Sequence, residues 1–218
     1  MAKPGPASTL RSGSTAGSAA TRQALVGAAI ETLKADGFSG ASARAIAGRA
    51  GCNQGLVFYH FGSVANLLLA ALDAVSADRL ARYQASVEAA ASPTELVDAA
   101  AAIFREDLEA GYVTVLVELI AGATATPGLG PEVATRIEPW KQFAQDALDA
   151  ALGDSPLASL VPSGDAAHGV VALYLGLEML SHLDGDRAPA LALFDHARQL
   201  ATLLQAVGTL PPATPAPS

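Results

Sequence analysis

Cysteine, aromatic residues and long apolar runs are all scarce in this sequence. Cys52 is the single cysteine among 218 residues, which excludes an intrachain disulfide and any metal site built from several thiolates. The longest apolar run, residues 169–177, ends at Glu178 and falls far short of the roughly 20 residues that span a bilayer. The N-terminus also lacks the continuous apolar core of a signal peptide. These absences predict a soluble, cytoplasmic protein with no membrane partner.

Sequence motifs of the common catalytic sites are also missing. The chain has no Gly-x-Ser-x-Gly elbow, no His-Glu-x-x-His pair and no glycine loop of the kind that cradles phosphate. We therefore predict that the protein is not an enzyme and that it has no resident cofactor and no metal site. For Cys52, a redox switch is the alternative to a small packing residue, and packing is favoured.

Basic residues are few overall, but they are concentrated at one end. The whole chain has a net charge of −8, yet residues 1–72 hold six basic and two acidic side chains, a net of +4. The remaining 146 residues have a net charge of −12. A basic N-terminal third on an acidic body predicts that one end of the protein meets a polyanion.

The pattern of residues 42–61 predicts two short helices joined by a tight turn. Ser42 is placed to cap the first helix, and Gly51 follows its end, where the backbone often becomes left-handed. Asn53 is placed to cap the second helix, which ends in an aromatic cluster whose Phe58 and Phe61 are predicted core residues. This arrangement is typical of a helix-turn-helix, whose second helix enters the DNA major groove.

The rest of the chain also shows helical periodicity, and no segment reads as a strand. Helices are predicted over residues 21–36, 64–90, 93–110, 112–125, 131–152, 165–183 and 188–207. The fold is therefore all-α, with a DNA-binding domain over residues 20–72 and a helical domain over residues 73–208. The tails, residues 1–19 and 209–218, have the polar or proline-rich composition of disordered segments.

The helix predicted over residues 165–183 is apolar most of the way round. A helix without a broad polar face is buried on more than one side. Its own chain covers one side, and we expect a second copy to cover the other. The last two helices are joined by a short link, which favours an antiparallel pair, and they are predicted to form a homodimer interface.

Three segments of the N-terminal third, TRQALVGAAIETLKADGF, SARAIAGRAG and LVFYHFGS, resemble the DNA-binding domain of the tetracycline-repressor (TetR) family of bacterial regulators. The resemblance covers about residues 21–72. It implies an all-helical, ligand-responsive transcription regulator, usually a repressor. A small apolar effector would bind the C-terminal domain and release the protein from a palindromic operator.

The resemblance and the charge pattern together give a set of predicted DNA contacts. Tyr59 and His60 match family positions that touch the DNA backbone, and Gly55 would let the helix approach the duplex closely. Gln54 has the chemistry to read an adenine edge, and Leu56 can pack on a thymine methyl. The full predicted set is Arg22, Ser42, Arg44, Arg49, Gln54, Gly55, Leu56, Tyr59 and His60.

One departure from the family pattern concerns charge. The family usually has Lys-Glu where this chain has Val64-Ala65, and the recognition helix has no Lys or Arg. Phosphate contacts must then come mainly from other arginines and from the N-terminal tail. This departure motivates an alternative function, a helical small-molecule-binding or scaffolding protein whose DNA-binding domain is degenerate.

Predicted ligand-binding residues lie in the helical domain, where pockets are mostly apolar with a few orienting polar groups. Glu178 and His182 are spaced i, i+4 on an apolar helix. Four interpretations of this pair are open: it orients a ligand, its two side chains bond each other, it bonds across a dimer interface, or, with a third ligand, it holds a metal ion. The predicted set is Phe104, Tyr112, Glu118, Trp140, Phe143, Tyr174, Glu178 and His182.

Overall fold

A computed structural model describes residues 10–152 and 161–208. Over these two ranges the chain forms nine α-helices and no strand, which confirms the all-α prediction. The helices are α1 Leu10–Gly40, α2 Ala43–Arg49, α3 Gly55–Phe61, α4 Val64–Glu88, α5 Pro93–Ala110, α6 Tyr112–Ala123, α7 Leu129–Leu152, α8 Ser163–Asp184 and α9 Ala188–Gly208.

The first helix begins earlier than the sequence pattern indicated. We expected a disordered tail up to residue 19, whereas α1 begins at Leu10. Residues 10–20 contain no proline, so every backbone N–H beyond the first turn can pair within the helix, and the Thr21 hydroxyl donates to the Gly17 carbonyl over 2.9 Å. The tail predictions for residues 1–9 and 209–218 lie outside the described residues.

The turn chemistry around α2 and α3 agrees with the sequence. Gly37 interrupts α1 with φ of 68°, and Gly51 follows α2 with φ of 67°, both values that favour glycine. Ser42 Oγ accepts the Ala45 N–H over 3.2 Å at the start of α2. Asn53 Oδ1 accepts the Gly55 N–H over 2.7 Å at the start of α3. These caps set the directions of the two short helices.

The chain divides into two compact units. Unit 1 comprises Met1–Ser76 and Thr114–Thr135, and unit 2 comprises Ala77–Val113 and Arg136–Ser218. The predicted domain boundary after residue 72 stays a prediction, and unit 1 also takes in parts of α6 and α7. The core of unit 1 is made of fully buried side chains from α1 to α4 and α6: Leu25, Leu33, Ile46, Val57, Leu67, Val115 and Leu119.

Phe58 does not belong to that core, so the prediction for this residue is wrong. Its side chain is 52% exposed, whereas Phe61 is 9% exposed. The seven-residue helix α3 buries a single stripe, made by Val57 and Phe61 at i, i+4. Phe58 is one residue, about 100° of helical rotation, away from this stripe.

In unit 2, α9 runs antiparallel to α5. Thr94 near the start of α5 bonds Gln205 near the end of α9 over 2.8 Å. Farther along, the Phe104 and Phe194 ring centroids are 5.2 Å apart. The order of these contacts along the two helices gives the antiparallel direction.

Both α8 and α9 expose large apolar side chains within unit 2. By length and composition α8 is apolar enough to cross a membrane, a test that core helices of soluble proteins also pass. The exposed residues on the two helices are Val170, Leu173, Met179, Leu180, Leu183, Leu193, Leu200 and Leu203.

Candidate DNA interface and ligand-binding cluster

The predicted DNA-contacting residues lie on α1, α2 and α3, at the N-cap of α2 and in the turn between α2 and α3, and most of them are exposed. Tyr59 is the most prominent, with 78% of its side chain exposed, while Leu56 and His60 are half-buried. The exposed members are Arg22, Ser42, Arg44, Arg49, Gln54, Gly55 and Tyr59. The structure thus leaves the polar side of the helix-turn-helix open to solvent.

The three arginines of this surface differ in their local contacts, and one of them has no side-chain partner among the described residues. Arg49 Nη2 lies 2.9 Å from Asp36 Oδ2, and its Nη1 donates to the Glu31 carbonyl over 3.1 Å. Arg49 therefore ties α2 to α1. The Arg22 guanidinium lies 5.0 Å from the Phe61 ring centroid. Arg44 is exposed and pairs with no side chain in the described part of the chain, so its charge is the most available to a phosphate or a base edge.

Gly55 has a local structural reason besides any close approach to DNA. A Cβ atom at this position would lie 3.2 Å from Asn53 Oδ1, the oxygen that caps α3. A side chain there would crowd the cap. Gly55 thus leaves room for the Asn53 cap at the start of α3. In the last turn of the same helix, the Tyr59 and His60 rings pack edge to face, with centroids 4.9 Å apart.

A buried polar cluster occupies the interior of unit 2, and we call it the Asp107 cluster: Arg79, Tyr83, Asp107, Tyr174 and Glu178. Asp107 is fully buried on α5. It accepts from Arg79 Nε over 2.9 Å, from Arg79 Nη2, and from the hydroxyls of Tyr83 and Tyr174. Charge-assisted bonds of this kind compensate the cost of burying a carboxylate.

Arg79 is held in an aromatic enclosure. Its guanidinium carbon lies 4.7 Å from the Trp140 centroid, 5.6 Å from that of Tyr112 and 5.7 Å from that of Tyr83. Burial alone lowers the pKa of Arg79, but the charge and hydrogen bonds of Asp107 outweigh it and raise the pKa. The guanidinium is therefore a permanent buried cation.

Ionisation of the two tyrosines of the cluster is suppressed. Burial raises the pKa of both Tyr83 and Tyr174, and the adjacent Asp107 carboxylate raises each further. A phenolate would be a second negative charge beside the buried Asp107 carboxylate, and the two charges would repel each other. Both hydroxyls therefore remain hydrogen-bond donors to Asp107.

Glu178 is the least compensated member of the cluster. Its side chain is 4% exposed, and its Oε1 has no hydrogen-bond partner among the described residues. Burial and then the Asp107 charge raise the pKa of Glu178 to about 7, although Arg79, Tyr174 and Arg187 oppose the shift.

The structure brings several predicted ligand-binding residues together and separates others. Phe104 packs edge-on against Tyr174 with centroids 5.5 Å apart, and Trp140 packs edge-on against Phe143 at 6.2 Å. Together with Tyr112 and Glu178, these residues all belong to unit 2. His182, by contrast, is exposed on α8 although Glu178 is buried.

Glu118 lies in unit 1 and has a backbone partner. Its Oε2 accepts the Phe38 N–H over 2.7 Å. A Cβ on Gly122, one helical turn further along α6, would lie 2.4 Å from the Phe38 ring. Glu118 and Gly122 thus hold the residue that follows the interruption in α1, and a ligand-contacting role for Glu118 stays a prediction.

The sequence pattern did not single out Arg79, Tyr83 or Asp107. A signal was present, because Leu68, Leu72 and Val75 form the buried stripe of α4. Continuing that stripe by steps of three or four residues leads to Arg79 and Tyr83. A charged residue on a buried stripe predicts a buried partner, although periodicity cannot say that the partner is Asp107.

Comparisons with known proteins support the prediction of a TetR-type DNA-binding domain in the N-terminal third. Residues 25–71 match the family model described as bacterial regulatory proteins of the tetR family. Among curated proteins, none matches the chain.

Solved structures extend the likeness to most of the chain. A TetR-family member from Streptomyces coelicolor is 26% identical with a TM-score of 0.61, covering 84% of this chain and 97% of that chain. The regulator FadR from Bacillus subtilis, in complex with stearoyl-CoA, is 13% identical with a TM-score of 0.69, covering 82% and 96%. The multidrug binding protein EbrR, complexed with imidazole, is 24% identical with a TM-score of 0.58, covering 90% and 96%.

The family model spans the helix-turn-helix built by Ser42, Gly51 and Asn53, and the surrounding helices follow the fold of these regulators. Residues 25–71 therefore match the DNA-binding domain of the tetR family of bacterial regulatory proteins, and the chain as a whole is similar to solved members of that family.

Proposed function

We propose that this protein is a ligand-responsive transcription repressor that binds a palindromic operator as a homodimer in the cytoplasm. A small molecule that binds unit 2 releases it from DNA, and the chain has no enzymatic activity. The observation that carries the proposal is the exposed polar surface of α2 and α3 within a basic N-terminal segment. Arg44 and Tyr59 are its most available DNA-contacting groups.

DNA binding by this surface depends on few charges. Arg22, Arg44 and Arg49 supply the cationic groups, and α3 itself contributes no Lys or Arg. Each neutralised phosphate adds about −0.9 to the slope of log affinity against log salt. Because only a few arginines contact phosphate, we expect a modest slope of log affinity against log salt. The DNA sequence is recognised by Gln54 and Leu56, which contact the base edges.

The exposed apolar surfaces of α8 and α9 support the homodimer. Leu180 and Leu203 are 60% and 62% exposed, and the cost of leaving such side chains in water is relieved by burial against a second copy. A two-fold dimer presents two recognition helices to successive major grooves, about 34–36 Å apart. This spacing supports a palindromic operator.

The buried polar cluster and its aromatic neighbours support a small-molecule site in unit 2. The FadR structure with stearoyl-CoA and the EbrR structure with imidazole show that proteins of this fold hold small molecules. The effector can weaken DNA binding only by the difference in its affinity for the DNA-bound and free states.

The test of this proposal is binding of the purified protein to the DNA that flanks its own gene. We expect saturable binding by the wild type, and an Arg44→Ala variant about tenfold weaker, a loss of about 1.4 kcal/mol. Arg105→Ala removes an exposed arginine from unit 2 and is the matched control, which should bind like the wild type. Equal binding by both variants would contradict the assigned DNA surface.

The second candidate is a helical small-molecule-binding protein with a degenerate DNA-binding domain. Val64-Ala65 and the uncharged recognition helix favour it. Retention on non-specific DNA at low salt separates the two candidates, since a degenerate domain would not be retained. Screening of genomic fragments then tests for a distant operator before the regulator is abandoned.

A further inference from the structure

The Asp107 cluster contains one more buried negative group than positive groups. Asp107 and Glu178 are both carboxylates, 0% and 4% exposed, whereas Arg79 at 6% exposed is the one buried cation of the described residues. Arg187 also acts on Glu178, but its side chain is exposed. A buried carboxylate without a partner is unfavourable, so the cluster needs either a proton or a further cation.

The uncompensated negative charge can be assigned to one side chain of the cluster. It is not Asp107, because both of its carboxylate oxygens already accept hydrogen bonds from Arg79, Tyr83 and Tyr174. Glu178 Oε1 is instead buried without a hydrogen-bond donor in the described ranges. His182, the neighbour suggested by the i, i+4 spacing, is exposed. Glu178 is therefore the acceptor that remains for a bound molecule.

We propose that Glu178 anchors the cationic nitrogen of an organic effector whose apolar part packs against the aromatic side chains of unit 2. This inference rests on the proposed function and assigns the chemical class of the effector. It replaces the expectation of a purely apolar ligand with that of an amphipathic amine.

The surroundings of Glu178 suit such a molecule. Tyr174 lies one helical turn before Glu178 and packs edge-on against Phe104, which also contacts Phe194 at 5.2 Å. Aromatic faces attract cations as well as apolar groups, and in this unit the rings of Trp140, Tyr83 and Tyr112 already surround the cation of Arg79. The buried negative charge then selects a cation over a neutral compound of the same shape.

Three small probes of similar shape test the charge preference: benzylammonium, benzyl alcohol and benzoate. Each is titrated into the full-length protein in amine-free phosphate buffer at about pH 8, where Glu178 is mostly ionised. Trp140 is the single tryptophan of the chain and packs against Arg79 and Tyr83 of the Asp107 cluster, so we use its fluorescence to report binding. Titration calorimetry is the second readout.

We expect benzylammonium to bind at least about tenfold more tightly than benzyl alcohol, and benzoate to bind most weakly. Glu178→Gln keeps the side-chain shape and removes the charge, so it should bring the ammonium and the alcohol within about threefold of each other. Glu109→Gln removes an exposed carboxylate from the same unit and should keep the wild-type preference.

Equal affinity of the wild type for the ammonium and the alcohol would overturn the proposal. So would a preference that persists in Glu178→Gln, or no saturable ammonium binding up to about 10 mM. If the variant does not fold, as judged by circular dichroism, the wild-type comparison alone decides. Binding of DNA from the gene's own flank is measured without probe, so failure of the regulator function is distinguished from failure of the amine site.

Discussion

Glu178 gives the folded protein a specific pH dependence of stability. Its folded-state pKa of about 7 exceeds the ordinary value of 4.5, so the folded state holds this proton more tightly than the unfolded chain. The resulting stabilisation is fully present below about pH 4.5 and is lost as the pH rises through 7. The charges that act on the group are those of Asp107, Arg79 and Arg187, and a hydrogen bond from the neutral Tyr174 also acts on it.

A Glu178→Gln variant should not show this loss of stability as the pH rises through 7. Relative to the wild type, its free energy of unfolding should improve between pH 5 and pH 8 by up to about 3 kcal/mol, because the amide mimics the protonated acid. Urea unfolding followed by circular dichroism at the two pH values measures the difference. Parallel pH profiles for the two proteins would contradict a raised pKa at this residue.

Asp107 is the residue on which the buried polar groups of unit 2 depend. Asp107→Asn leaves the buried Arg79 cation without its counter-charge, so we expect a loss of about 3–5 kcal/mol in unfolding free energy. Asp98→Asn is the matched control, since Asp98 pairs with Arg198 over 3.0 Å at an exposed site and should cost at most about 1 kcal/mol. Similar urea midpoints for the two variants would mean that the Arg79 cation is compensated in another way.

At the scale of elements, α6 holds the interrupted end of α1 within unit 1. A methyl group on Gly122 would lie 2.4 Å from the Phe38 ring, so Gly122→Ala should destabilise the protein by about 1–3 kcal/mol. Gly27→Ala is the control in α1, because its Cβ would have no neighbour within 4 Å, and it should stabilise by up to about 1 kcal/mol. Thermal unfolding measures both changes, and equal shifts in midpoint would contradict the packing of Phe38 on α6.

The sequence was informative about elements whose signals are local. Ser42 caps α2 by accepting the Ala45 N–H over 3.2 Å, as predicted, and Gly51 follows the end of that helix with a left-handed φ of 67°. Caps and glycine turns depend on residues within one or two turns, so a single sequence carries them.

Features that depend on distant partners were not predictable in this way. Arg79 and Asp107 meet across 28 residues and Tyr174 reaches Asp107 across 67, so no local pattern predicted their cluster. Phe58 shows the same limit, since hydrophobicity alone suggested burial, while the single buried stripe of α3 left the ring exposed.

At the scale of the whole molecule, charge is divided between its ends. The basic N-terminal segment carries the helix-turn-helix, and the remaining residues have a net charge of −12. Such an acidic body is repelled by the DNA backbone, which favours binding through the N-terminal surface. Because the cationic contacts of one copy are few, the proposed dimer predicts that tight and specific binding needs two copies on one operator.

This requirement can be tested at the exposed apolar surface of α8. Leu180 is 60% exposed, and Leu180→Glu would place a charge in the proposed dimer interface, where an unpaired buried charge is strongly unfavourable. We expect the variant to sediment as a monomer and to bind operator DNA at least about tenfold more weakly than the wild type. Ala102→Glu adds the same charge at an exposed position of α5 and should remain dimeric and bind normally. A dimeric Leu180→Glu variant would show that the two copies associate through another surface, whereas a monomer with full DNA affinity would show that one recognition helix is sufficient.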